Sequence, residues 1–155
     1  MKFVIASDIH GNAKYAGELI KKFEFEQADA LILLGDIYNP GPRNPVTRDY
    51  APLTVADMLN AMKDKLTVVK GNCDSQVDTL ISKFDFVEEC NIFEGGKKIT
   101  LTHGHIYNGD NLPKNCGDAL IYGHFHIGSI RRMGNDVIAY AGIVSQPKDG
   151  GEPSY

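Results

Sequence analysis

Phe3-Val4-Ile5-Ala6-Ser7-Asp8-Ile9-His10-Gly11-Asn12 opens with an unbroken apolar run and closes in polar, turn-forming residues. A short run without alternation reads as a strand buried on both faces, as in a parallel sheet. At the carboxyl end of such a strand the chain opens onto the crevice where α/β folds bind ligands. In an extended backbone Asp8 and His10, two residues apart, point to one side. A carboxylate beside an imidazole suits a divalent ion of the Mn, Fe, Co or Zn series. Alone the pair carries little weight, because Asp-x-His arises by chance and His10 also reads as an ordinary loop residue.

Outward from that stretch, residues 12–25 carry Ala13, Ala16, Ile20 and Phe23 at helical spacing. Ala30-Leu31-Ile32-Leu33-Leu34 is a second buried strand and runs into Gly35-Asp36. Strand, helix and strand at this spacing form a βαβ unit with parallel strands. Gly35 permits a tight turn that brings Asp36 to the sheet edge of Asp8; by itself, Asp36 reads as a turn cap. Residues 37–52 include Tyr38-Asn39-Pro40-Gly41-Pro42-Arg43-Asn44-Pro45, a long aperiodic loop of the kind that is usually functional. Arg43 could fork onto a phosphate there, or stand solvated. A second helix is expected from near Thr54, with Asp57 in an approximate capping box and Val55, Met58, Leu59 and Met62 buried. A third strand, 66–69, ends in Lys70-Gly71-Asn72-Cys73-Asp74, and a third helix with Val77, Leu80, Ile81 and Phe84 inward is expected after it.

The second half reads as hairpins. Residues 91–94 and 98–102 flank Gly95-Gly96 and lead into His103-Gly104-His105. An apolar strand, 118–122, leads into Gly123-His124-Phe125-His126, and 129–133 with 136–141 make a further hairpin about Gly134-Asn135. Helices early and hairpins late suggest two sheets packed face to face with helices outside.

At 155 residues, 43% hydrophobic and 23% charged, the chain has the size and balance of one globular domain. A net charge of −4 disfavours a duplex-binding face, and no apolar run is long enough to span a bilayer. The first strand begins at once, which reads as a chain without a signal peptide. Cys73, Cys90 and Cys116 are odd in number and lack framework spacing, so reduced thiols and a cytoplasmic location are expected.

The strand ends together supply Asp8, His10, Asp36, Asn72, His103, His124 and His126, and all five histidines fall in these motifs. Two carboxylates, one amide and four imidazoles are too many ligands for one ion and about right for two.

The series S-D-I-H-G-N, G-D, G-N-C-D, T-H-G-H and G-H-F-H resembles the calcineurin-like metallophosphoesterases. Gly41-Pro42-Arg43-Asn44 and the G-N-C-D variant are similar to the YfcE-type small bacterial phosphodiesterase subgroup. The resemblance runs from Phe3 to Lys148. It implies an α/β fold, a four-layer sandwich of two mixed β-sheets packed face to face and flanked by α-helices. It also implies a single domain over 1–155, which could lack the family's closing C-terminal strands and leave an edge for a homo-oligomer to cover. By the same resemblance Asp8, His10 and His126 hold one metal, Asn72, His103 and His124 a second, and Asp36 bridges them. His105 has no metal role and lines the site or orients a neighbour.

Three departures stand out. Cys73 replaces the histidine thought to protonate the leaving group. Phe125 stands where Thr is usual, its side chain expected to point away from both histidines. Ala139-Tyr140-Ala141-Gly142-Ile143 stands where N-P-G-S is usual. The implied activity is hydrolysis of a small phosphodiester by a hydroxide shared between two divalent ions, Mn²⁺ first, with Fe, Co, Ni or Zn as alternatives. Asn72, His105 and Arg43 would meet charge on the phosphoryl oxygens, and no nucleic-acid or membrane partner is expected. The rival readings are a retired protein-binding scaffold of the same fold, a phosphomonoesterase and a nuclease. Retention of every ligand position favours the enzyme.

Overall fold

A computed structural model of the chain describes residues 1–126, 129–133 and 136–140. Strands β1 (Phe3–Ala6), β2 (Ala30–Leu33), β3 (Leu66–Val69) and β4 (Phe86–Val87) form one sheet in that order, every pairing parallel. Strands β5 (Cys90–Glu94), β6 (Lys97–Thr102), β7 (Ala119–Tyr122), β8 (Ser129–Met133) and β9 (Asp136–Tyr140) form the second, in the order β5-β6-β7-β9-β8. Its outer pairs are antiparallel and its central pairs parallel. The two-sheet α/β sandwich expected from the sequence is therefore present. Within the described residues only the second sheet is mixed, because βαβ crossovers make the first wholly parallel.

The alternation of side chains sorts the core into layers. Leu31 and Leu33 point from β2 toward helices α1 (Ala13–Phe25) and α2 (Pro52–Asn60), meeting Ala16, Leu19, Val55 and Leu59. All six are fully buried, and each leucine contributes on the order of 2 kcal/mol by leaving water. Ile32, Leu34 and Val69 face the other way, against Leu101, Ile99, Ile92 and Ile121 of the second sheet. On the far side of that sheet Leu120, Tyr122 and Ile138 are buried with Cys116 against them. The Tyr122 hydroxyl accepts the Gly109 N–H, and the Thr102 hydroxyl donates to the Tyr107 carbonyl. Among the described residues, the irregular segment 104–118 thus packs along this face.

Several local expectations change. Leu19 is buried in α1 and Ile20 only partly so. Helix α2 starts at Pro52, whose fixed φ suits the first turn, so Thr54 lies inside and no side-chain cap forms. The third helix is a 3₁₀ turn, Gln76–Leu80, closed by a capping box between Ser75 and Asp78. Its tighter winding leaves Val77 and Leu80 exposed at 63% and 81%, and only Ile81 and Phe84 reach the core.

Candidate metal centre

The pairings Ala6↔Leu33 and Leu33↔Val68 end β1, β2 and β3 at one level. Asp8, Asp36 and Asn72 therefore emerge together. The pairing Thr102↔Tyr122 does the same for His103 and the 123–126 turn. The two edges are tied across the sandwich: Asp8 Oδ2 accepts the His124 N–H at 3.0 Å, and His103 Nδ1 lies 2.6 Å from the Leu34 carbonyl oxygen. Past the strands the ladder continues irregularly, with the N–H groups of Asp8, His10 and Gly11 donating to the carbonyls of Gly35, Asp36 and Ile37.

Asp8 and His10 do converge, with His10 Nε2 3.6 Å from Asp8 Oδ1, but not by strand alternation. Their φ angles are +59° and +49°, and Asp36, His124 and His126 also have positive φ. Of the six non-glycine residues in this region among the described residues, five are candidate ligands; the other is Gln27. Non-glycine residues in left-handed backbone cluster at functional sites, where surrounding structure holds them. The turn before Asp36 needs glycine. Gly35 has φ +96°, and a Cβ there would stand 2.5 Å from the Gly71 nitrogen and 2.9 Å from His103 Nδ1.

Three overlapping groups bring donor atoms within 4.8 Å of one another: Asp8, His10 and His126; Asp36, His103 and His124; and His10, Asp36 and Cys73. His126 Nε2 is 3.3 Å from Asp8 Oδ1, and Asp36 Oδ2 is 3.5 Å from His103 Nε2 and 3.9 Å from His10 Nε2. Donors at about 2.1 Å from a shared ion are separated by about 3–3.5 Å, so these residues fit metal ions. Asp36, 2% exposed, belongs to the groups of His103 and of Cys73, and it approaches the Asp8 group through His10, which is shared in the same way. Asn72 Oδ1 lies 3.0 Å from His103 Nε2, which places it with the second group.

Charge and burial act together here. Burial alone would lift the carboxyl of Asp8, but the rings of His10 and His126 facing it outweigh that and hold the group well below the usual carboxylate range. Burial works to lower His10, and the bond to Asp8 outweighs it, so His10 titrates above its ordinary value. Burial, then the charge of His103, lower His124 to about 4. Burial, then the charge of Asp36, push the Cys73 thiol up to about 12.

The remaining expected residues divide. Arg43 and Cys73 line a cavity of about 20 Å³ with Asp36, Asn72, His124 and His126, room for about one water molecule. His105 is exposed and lies beside this group, its ring 5.3 Å from His103 and 6.3 Å from His124. Phe125 does not point away from both histidines. Its ring meets His124 edge-on at 5.2 Å and Tyr122 at 5.9 Å, because the left-handed turn brings it back over the sheet. The 141–143 part of the altered N-P-G-S position lies outside the described residues.

One contributor was not singled out from the sequence. The buried carboxylate of Asp74 accepts the backbone N–H groups of Asp36 at 2.8 Å, Ile37 at 2.8 Å and Gly71 at 2.7 Å. It clips the ends of β2 and β3 together beneath Asp36. Its place in the turn Gly71-Asn72-Cys73-Asp74, just past β3, was the available signal, since Asp side chains in turns commonly bind nearby backbone.

Residues 1–155 match the calcineurin-like phosphoesterase superfamily domain. The chain is 38% identical over 157 aligned positions to phosphodiesterase YfcE of Escherichia coli K12, covering 100% of this chain and 85% of that protein. It is 27% identical over 156 positions to the probable metallophosphoesterase YsnB of Bacillus subtilis, covering 96% of this chain and 78% of that one. The solved structure of the E. coli YfcE phosphoesterase superposes with a TM-score of 0.92 at 36% identity, covering 97% and 84% of the two chains.

Proposed function

This chain belongs to the calcineurin-like phosphoesterases and is a metal-dependent phosphoesterase; from that premise we propose that it hydrolyses small phosphodiesters at a centre of two divalent ions. The observation that carries the proposal is the position of Asp36, whose Oδ2 faces His103 on one side and His10 on the other. Asp8, His10 and His126 would hold one ion, Asn72, His103 and His124 the other, with Asp36 shared. Bound there, the ions would acidify a common water, the expected nucleophile, and draw charge from the phosphoryl oxygens.

The chain's own residues supply the rest. His10 Nδ1 lies 2.8 Å from the Asn39 carbonyl and His103 Nδ1 2.6 Å from that of Leu34. Each neutral ring must then carry its proton on Nδ1 and turn the Nε2 lone pair inward. Arg43, at the cavity rim, would fork onto a non-bridging phosphate oxygen, and Asn72 and His105 would orient the substrate from the other side. Cys73 stands where a leaving oxygen would be protonated. Mn²⁺ is the proposed ion, because mixed nitrogen and oxygen ligands accept it. Three free cysteines support a reducing compartment, proposed as the cytoplasm. No helix among the described residues is long and apolar enough to cross a membrane.

The test is to strip the protein with chelator, measure its metal content, and assay a chromogenic diester and monoester with and without Mn²⁺. We expect about two ions per chain, and diester cleavage that is lost on chelation and restored by Mn²⁺. Diester cleavage at full rate after complete metal removal would end the proposal.

A further inference from the structure

The third donor group has a different chemistry from the other two. Cys73 Sγ, a ring nitrogen of His10 and a carboxylate oxygen of Asp36 lie within 4.8 Å of one another. Two features fix the sulfur at that corner. The Cys73 N–H donates to Asp36 Oδ1 at 2.8 Å, which locks its backbone to the shared carboxylate. The loop passes directly over the thiol at Gly41, where a Cβ would stand 2.7 Å from Sγ, so only glycine leaves the sulfur its room. The Asn72 side-chain amide, 3.3 Å from Sγ, closes the other side, and the sulfur borders the same small cavity as Asp36, His124 and His126.

Nitrogen and oxygen donors accept Mn²⁺, whereas a thiolate selects softer ions such as Zn²⁺, Cd²⁺ and, to a lesser degree, Co²⁺. We propose that Cys73 is a conditional metal ligand: a thiophilic ion binds Sγ together with His10 and Asp36, while Mn²⁺ leaves Cys73 a thiol. As the metal–sulfur bond forms, the thiol proton passes to solvent, with no change of oxidation state. This inference rests on the metal-centre reading above.

Co²⁺ titrated into the metal-free protein separates the two. Visible d–d absorption reports binding by any donor, and near-ultraviolet sulfur-to-cobalt charge transfer reports thiolate ligation. The expected result is both signals in the natural sequence and in a Cys90→Ser/Cys116→Ser double variant. Cys73→Ser should keep the d–d bands and lose the charge-transfer band. Visible bands without charge transfer in the natural sequence would overturn this inference and leave the metal centre standing. Charge transfer surviving in Cys73→Ser would also overturn it. Absence of d–d bands would overturn both.

Discussion

His103 Nδ1 lies 2.6 Å from the carbonyl oxygen of Leu34, 69 residues earlier in the chain and just past β2 of the opposite sheet. The Asn39 carbonyl serves His10 in the same way. Both acceptors belong to the segment leaving β2, so one stretch of backbone sets the tautomer of two imidazoles, one from each sheet. The same stretch carries Asp36. The orientation of both rings and the position of Asp36 thus depend on residues 34–39.

Removing Asp8 should cost more than removing His126, although both are assigned to one ion. Asp8 is fully buried and accepts the His124 N–H, so Asp8→Ala leaves a donor unpaired inside the protein. That penalty is about 1–3 kcal/mol. Urea unfolding of the metal-free variants should show Asp8→Ala to be the weaker fold, with both losing activity. Equal midpoints would mean the bond across the sheets contributes nothing.

Asp36→Asn should lower bound metal more than any single histidine change. The amide can still accept the Cys73 N–H, so the backbone clip survives while the charge facing both groups disappears. Metal affinity should fall by at least about a hundredfold, on the scale of lost ligand support. Two ions retained at natural affinity would show that another group bridges them.

Asp74→Asn tests a residue that belongs to none of the three donor groups. Its three N–H partners need an acceptor, and an amide can satisfy them only in part. We expect a loss of about 1–3 kcal/mol in stability and, at temperatures where the fold is intact, weaker Mn²⁺ binding. A destabilised variant with unchanged Mn²⁺ affinity would make Asp74 a purely structural clip.

In the metal-free protein, His10 and His124 should give stability a maximum near pH 6.5. His124 titrates near 4 instead of 6.5. The unfolded chain therefore binds more protons between those values, and stability falls as pH drops through the window. His10 is raised above 6.5, so its contribution is complete below that value and fades as pH climbs through its folded pKa. Asp74, raised by burial, works against the acid-side loss. Urea midpoints from pH 4.5 to 8 should peak and decline on both sides; a steady rise or fall would contradict the assignment.

Cleavage should depend steeply on the leaving group. A thiol held near 12 is a poor proton donor beside a position from which a good acid contributes about 10²–10⁴-fold. Aryl diesters should react fast and alkyl diesters slowly, and Cys73→His should narrow the gap. A series of diesters graded by leaving-group pKa, run on both forms, measures this. A flat dependence in the natural sequence would mean that a competent acid, such as His105, is already present.

The strands were legible because apolar runs such as 30–34 have no other comfortable place. The candidate donor residues stood out because carboxylates and imidazoles at successive strand ends have few other uses, and the structure brings Asp8, His10, Asp36, His103, His124 and His126 together. How they converge was not. Alternation along a strand would pair Asp8 with His10, but the backbone instead turns left-handed at both, which no side-chain pattern announces. The 3₁₀ turn at Gln76–Leu80 was hidden by apolar spacing that suits an α-helix equally well. Phe125 was misplaced for the same reason as Asp8 and His10: alternation was assumed where the chain turns.

The donors of the centre come from widely separated parts of the chain, from Asp8 in the first turn to His126 in the last described one before β8. Asp8 emerges early in synthesis but has no His126 to meet until well over a hundred residues have followed. A nascent chain shorter than that holds only part of the proposed ligand set. On that assignment metal capture would be a late event in the life of each molecule, and a loaded centre would certify that both sheets have been made and brought together.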